Sequence, residues 1–130
     1  MRYRRPDKKN ALCLIDAAKK EINFTLKMQV SEEAGPTIVR NIYESFRMLG
    51  DALLLIKGIE SEDHVMPIKE LLQLKVETKR PVTLIDNLRR FRHNINYYGY
   101  QPKISEINDT ISIAKTCFEP LYNEVLKKAN

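Results

Sequence analysis

The side chains with the greatest capacity for chemistry stand in one short run, Leu88–Tyr100, with the sequence LRRFRHNINYYGY. Arg89, Arg90, Arg92 and His93 are crowded together there, and Tyr97, Tyr98 and Tyr100 follow around Gly99. A guanidinium offers a rigid fork of donors that matches a phosphate, and a tyrosine ring is a flat surface on which a nucleobase can stack. His93 is the candidate general base, because an imidazole is the side chain best suited to proton transfer near neutral pH. Two readings of the run stay open. It is an anion site for a nucleotide or RNA phosphate, or it is a solvated charged face whose tyrosines fill a helix-end corner.

Other chemistry-bearing residues have simpler explanations. The pairs Glu32–Glu33 and Glu62–Asp63 lie where helix starts favour negative charge, so they read as capping groups and not as catalytic acids. His64 reads as a polar helix-start residue. Cys13 and Cys117 sit in separate apolar helical patterns with no CxxC partner, and are expected to be buried thiols. With His64 and His93 as the histidines and no HExxH spacing, no metal site is expected. The chain has no GxGxxG, P-loop or GxSxG pattern, so dinucleotide, P-loop and serine-hydrolase chemistry have no foothold, and no cofactor is expected.

Position then depends on the helix that carries the run. Leu84, Leu88, Phe91 and Ile95 recur at four, three and four, which predicts a core-facing stripe. Arg92 falls at the edge of that stripe beside Arg89 and Asn96, while His93 and Asp86 point away from it. Asp86 precedes Arg89 and Arg90 by three and four residues and can pair with one of them, whereas Arg92 has no such local acid. Gly99 supplies a left-handed stop, and Pro102 keeps the helix from resuming.

The remaining elements are also helical. A first helix is expected from Asp7 to about Met28 on the seam Ala11, Leu14, Ile15, Ala18, Ile22 and Leu26. Ser31 is the candidate cap ahead of a second helix over Pro36–Lys57, whose seam is Ile38, Ile42, Phe46 or Ser45, Leu49, Leu53 and Ile56, with Gly58 as its stop. Leu53–Ile56 resembles a strand in isolation but continues the helical seam. Ser61 or Asp63 caps a third helix carrying Val65, Ile68, Leu71, Leu72 and Val76, and Pro67 is tolerated in its first turn. Pro81 opens the fourth helix. Ser105 opens the fifth, with Ile107, Ile111, Ala114, Phe118, Leu121 and Val125 inside and a kink expected before Pro120. The fold class is all-α, an antiparallel up-and-down bundle of four to five helices.

At 130 residues the chain is a single domain, 1–130, with residues 1–6 as a flexible tail that is a solubilising end or a second phosphate contact. Net charge is +5 and the pI is near 9.2, which is permissive for nucleic acid. The excess is concentrated, since six Lys or Arg residues face one acid, Asp86, between Lys79 and Lys103. No apolar run approaches a membrane span and no signal core follows the basic N-terminus, so a cytoplasmic location without membrane contact is expected.

Two stretches resemble the HEPN family (higher eukaryotes and prokaryotes nucleotide-binding domain), particularly its small archaeal and bacterial members. NIYESFRMLGDALLLIKGIESEDH, Asn41–His64, is similar to the family's long second helix and following turn, and RRFRHNINYYGY is similar to its signature helix. The similarity runs from about Glu32 to Leu126. Ribonuclease members carry Arg followed after four to six residues by His and act without metal as dimers, so the resemblance implies an Arg that holds the scissile phosphate and a His that handles the 2′-hydroxyl proton. Here the positions that spacing allows are Asn94, Ile95, Asn96, Tyr97, Tyr98 and Gly99, none of them histidine. The natural alignment sets Arg92 on the family Arg and Tyr97 on the family His, with His93 directly after the Arg. Tyrosine, with an ordinary pKa near 10, is a poor general base at neutral pH.

The expectation is therefore a HEPN-like homodimer in which Arg89, Arg92, His93, Asn96, Tyr97 and Tyr98 bind a nucleotide or RNA phosphate. Binding stands ahead of cleavage. The first alternative is a metal-independent endoribonuclease using Arg92, His93 and Tyr97, the toxin half of a pair with a nucleotidyltransferase-like partner. The second is a helical interaction scaffold without a ligand.

Overall fold

In a computed structural model that describes residues 2–130, the elements in chain order are β1 (Arg2–Tyr3), α1 (Lys8–Thr25), α2 (Gly35–Lys57), β2 (Ile59–Glu60), α3 (Met66–Leu72), α4 (Leu84–Tyr98) and α5 (Ile104–Ala129). The architecture is the expected all-α bundle. Its centre is α2, whose apolar residues recur so densely that Ile38, Val39, Ile42, Tyr43, Phe46, Leu49, Leu53 and Leu54 are all buried. The other helices pack around it. Phe46 and Ser45 are both buried, and the Ser45 hydroxyl is satisfied by donating to the Asn41 carbonyl at 2.8 Å.

Local signals fix most helix ends. Asp7 caps α1 by accepting from the Asn10 backbone N–H at 3.0 Å. Ser31 accepts from the Ala34 N–H at 3.0 Å, in the turn that leads into α2. Of the two candidate caps for α3, Asp63 takes the role, accepting from the Val65 and Met66 N–H groups at 3.0 and 2.8 Å, while Ser61 donates to the Asp63 carbonyl. Gly58 and Gly99 both adopt the left-handed conformation, with φ of 71° and 64°. The fourth helix begins at Leu84, later than Pro81, because Pro81–Thr83 form a tighter turn whose carbonyls take the Leu84, Ile85 and Asp86 N–H groups. The fifth begins at Ile104, one residue before Ser105, where Glu106 reaches back to the Lys103 N–H at 2.9 Å. That helix continues through Pro120 to Ala129.

Three expectations change. Within the expected tail, residues 2–7 are hydrogen-bonded to the end of α2: Arg2–Tyr3 pairs antiparallel with Ile59–Glu60, and the backbone N–H groups of Arg4 and Asp7 donate to the carbonyls of Gly58 and Leu55 at 2.8 and 2.9 Å. These backbone bonds need only an extended chain beside the stop of α2, so no side-chain pattern announces them. Cys13 is exposed while Cys117 is buried, because the inward line of α1 runs through Ala11, Ile15, Ala18 and Ile22 and leaves position 13 on the far side. The inward line of α4 is also turned from the expected stripe, with consequences described below. No helix among the described residues is long and apolar enough to cross a membrane.

Candidate functional site

Ile85, Leu88 and Ile95 are the buried residues of α4, while Leu84 and Phe91 are only half-buried. The stripe Leu84, Leu88, Phe91 and Ile95 is therefore corrected to one that passes through Ile85 and close to Arg92. The cause is the choice of neighbour. α4 seats on α2 and stands off from α5, so Leu84 and Phe91 line an open cleft of about 390 Å³ with Ile113 instead of filling a seam.

That rotation brings Arg92 over the ring of Tyr43 on α2, with the guanidinium carbon 5.2 Å from the ring centroid. Contacts of this kind hold a cation by the ring quadrupole without neutralising it. Arg89 and Arg90 differ. Both are tied to Asp86, Arg89 through Nε to Oδ1 and Arg90 through Nη2 to Oδ2, each at 3.0 Å. Among the described residues Arg92 has no carboxylate within ion-pair distance. Arg89 and Arg90 also line a cleft of about 470 Å³ between α3 and α4, to which Lys69 adds a third cation.

The hydrogen bond from Arg89 holds the Asp86 carboxyl below its ordinary pKa, with the charges of Arg89 and Arg90 acting in the same direction. A lowered folded-state pKa adds stability that is present above the ordinary carboxylate range and is lost as pH falls through the folded value. Asp86→Asn is expected to cost less than about 1 kcal/mol in denaturant unfolding, because the pair is partly solvated.

Asn96 is engaged, accepting at Oδ1 from Arg40 Nε at 2.6 Å. His93, Tyr97 and Tyr98 form a separate ring cluster, with the imidazole 4.7 Å from the Tyr97 ring and 5.8 Å from that of Tyr98. Tyr97 and Tyr98 are 71% and 77% exposed, an unusual degree for large aromatic side chains. Tyr100 has a structural task, donating from its hydroxyl to Glu106 at 2.7 Å and meeting Phe91 edge-on. The expected site residues thus divide into Arg92 on Tyr43, Arg89 on Asp86, Asn96 on Arg40, and a ring platform of His93, Tyr97 and Tyr98.

No family model matches the chain, and no curated protein or solved structure matches it.

Arg40, Tyr43 and Arg47 of α2 were not in the expected site. Their spacing of three and four places them on one stripe beside the apolar seam, and that signal was present in the sequence. Arg47 is neutralised by Glu44 and Asp51 on its own helix. Tyr43 is 0% exposed, and its hydroxyl has no hydrogen-bond partner among the described residues. Burial pushes the phenol pKa up, against the pull of Arg92, Arg47 and Arg89. His64 is exposed at the bend before α3, near enough to Asp51 to act on its charge. Among the described residues no group of three or more His, Cys, Asp and Glu side chains could hold a metal ion.

Proposed function

We propose that this is a HEPN-like helical protein whose α4 face binds the phosphate of a nucleotide or RNA, with Arg92 as the principal contact. One observation carries the proposal: of the three arginines on α4, Arg92 alone is held by an aromatic face in place of a carboxylate. A guanidinium without a compensating acid keeps its full charge for a ligand, and its donors suit phosphate oxygens. The exposed rings of His93, Tyr97 and Tyr98 on the same helix offer stacking area for bases. Tyr97 stands where the resembled ribonucleases place histidine, which favours binding over cleavage. The homodimer implied by the resemblance belongs to the same proposal.

The test is fluorescence anisotropy of a labelled single-stranded oligoribonucleotide in EDTA. Arg92→Ala is expected to weaken binding about tenfold, the scale of a hydrogen bond to a charged group, while cooperative unfolding is retained. Equal affinity in wild type and variant would remove Arg92 from the site. The RNA is expected to stay intact on a denaturing gel; its cleavage, lost in both Arg92→Ala and His93→Ala, would instead establish the ribonuclease alternative.

A further inference from the structure

We infer that the buried hydroxyl of Tyr43 is a second donor of the α4 anion site, covered by Arg92 until a phosphate oxygen reaches it. The inference rests on the phosphate-binding role proposed for Arg92.

A phenol sealed from water needs an acceptor for its proton, and a buried polar group left without a partner is a standing cost to the fold. The charged groups that act on the Tyr43 hydroxyl are Arg92, Arg47, Arg89 and Glu44. Guanidiniums donate and never accept, so none of the three arginines can take the proton. Glu44 is the one acceptor in this set, and both of its carboxylate oxygens are engaged by Arg47. The hydroxyl is therefore left with a proton to give, and of the three guanidiniums around it only that of Arg92 is not already paired with a carboxylate among the described residues.

The missing partner has a definite chemistry. It must accept a hydrogen bond and tolerate nearby cations, which describes an anionic oxygen. Arg92 lacks the same thing, and it sits over the Tyr43 ring with no ion pair that must break before its side chain turns. One phosphate oxygen would thus receive the Tyr43 proton while Arg92 binds the same group. An unsatisfied donor retained at the floor of a binding site is a known form of exchange, in which stability is lower without ligand and affinity is higher with it.

The experiment compares full-length wild type, Tyr43→Phe, Arg92→Ala and the double variant, using thermal unfolding without ligand and anisotropy of the labelled single-stranded oligoribonucleotide. Tyr43→Phe keeps the ring under Arg92 and removes only the hydroxyl. It is expected to melt at or above the wild-type temperature and yet to bind RNA about tenfold more weakly. The double variant is expected to lose less than the product of the two single losses, because both groups meet one phosphate. Wild-type affinity in Tyr43→Phe would overturn the inference while leaving Arg92 in place. A melting temperature well below wild type would overturn it too, since the hydroxyl would then have a partner within the fold. Equal binding by wild type and Arg92→Ala would remove both proposals, so the failures are distinguishable.

Discussion

Gly50→Ala is expected to destabilise the protein by about 3 kcal/mol, at the upper end of the usual cost of overpacking. A Cβ at position 50 would lie 2.0 Å from the carbonyl oxygen of Pro67 and 2.5 Å from its carbonyl carbon. Those atoms belong to the backbone of α3 and cannot move aside by a change of rotamer. Accommodating one methyl therefore means lifting α3 from α2 and exposing Ile68 and Leu71, both fully buried. Gly35→Ala provides the control. There the new Cβ meets the Cδ1 of Ile107, the end of a flexible side chain, so a smaller loss is expected. Urea unfolding of both variants measures the difference, and equal midpoints would mean that α3 does not cross α2 at Gly50.

Phe46→Ala is expected to cost about 3–5 kcal/mol, the range for emptying a buried aromatic position. The Phe46 ring lies 5.6 Å from that of Phe118 at an angle of 60°, and Phe118 in turn stacks on Tyr122 at 5.9 Å. These contacts join α2 to α5. Because α4 stands off from α5, the long helix depends on this join and on α1 to stay docked. Truncation should thus unfold the bundle at a markedly lower denaturant concentration. A loss within experimental error would mean that the interior collapses around the vacancy, and that the aromatic chain is not the brace between the two helices.

What could be read from the sequence, and what could not, follows the distance along the chain over which each feature is decided. The Asp86 pairs span three and four residues, the stops at Gly58 and Gly99 depend on one residue each, and the seam of α2 repeats within a turn. These were legible, except that Asp86 was expected to pair with one of Arg89 and Arg90 and engages both. The Arg40–Asn96 bond joins residues 56 positions apart, and the seat of Arg92 on Tyr43 joins two different helices. Periodicity assigns α4 an apolar side, but it does not say whether α2 or α5 will meet that side. Meeting α2 turned the helix toward Ile85 and drew Arg92 inward, while Leu84 and Phe91 were left at the cleft. The same limit explains Cys13, which lies in an apolar run yet faces outward, and β1, whose backbone pairing leaves no mark on residue type.

The measurement that bears most directly on Arg92 is the dependence of RNA affinity on salt concentration. Each phosphate neutralised on a single strand contributes about 0.7 to the slope of log affinity against log salt. Arg92→Ala is expected to bind more weakly than wild type at low salt and to show a slope shallower by about that amount. Superimposable lines for the two proteins would contradict a phosphate contact at Arg92.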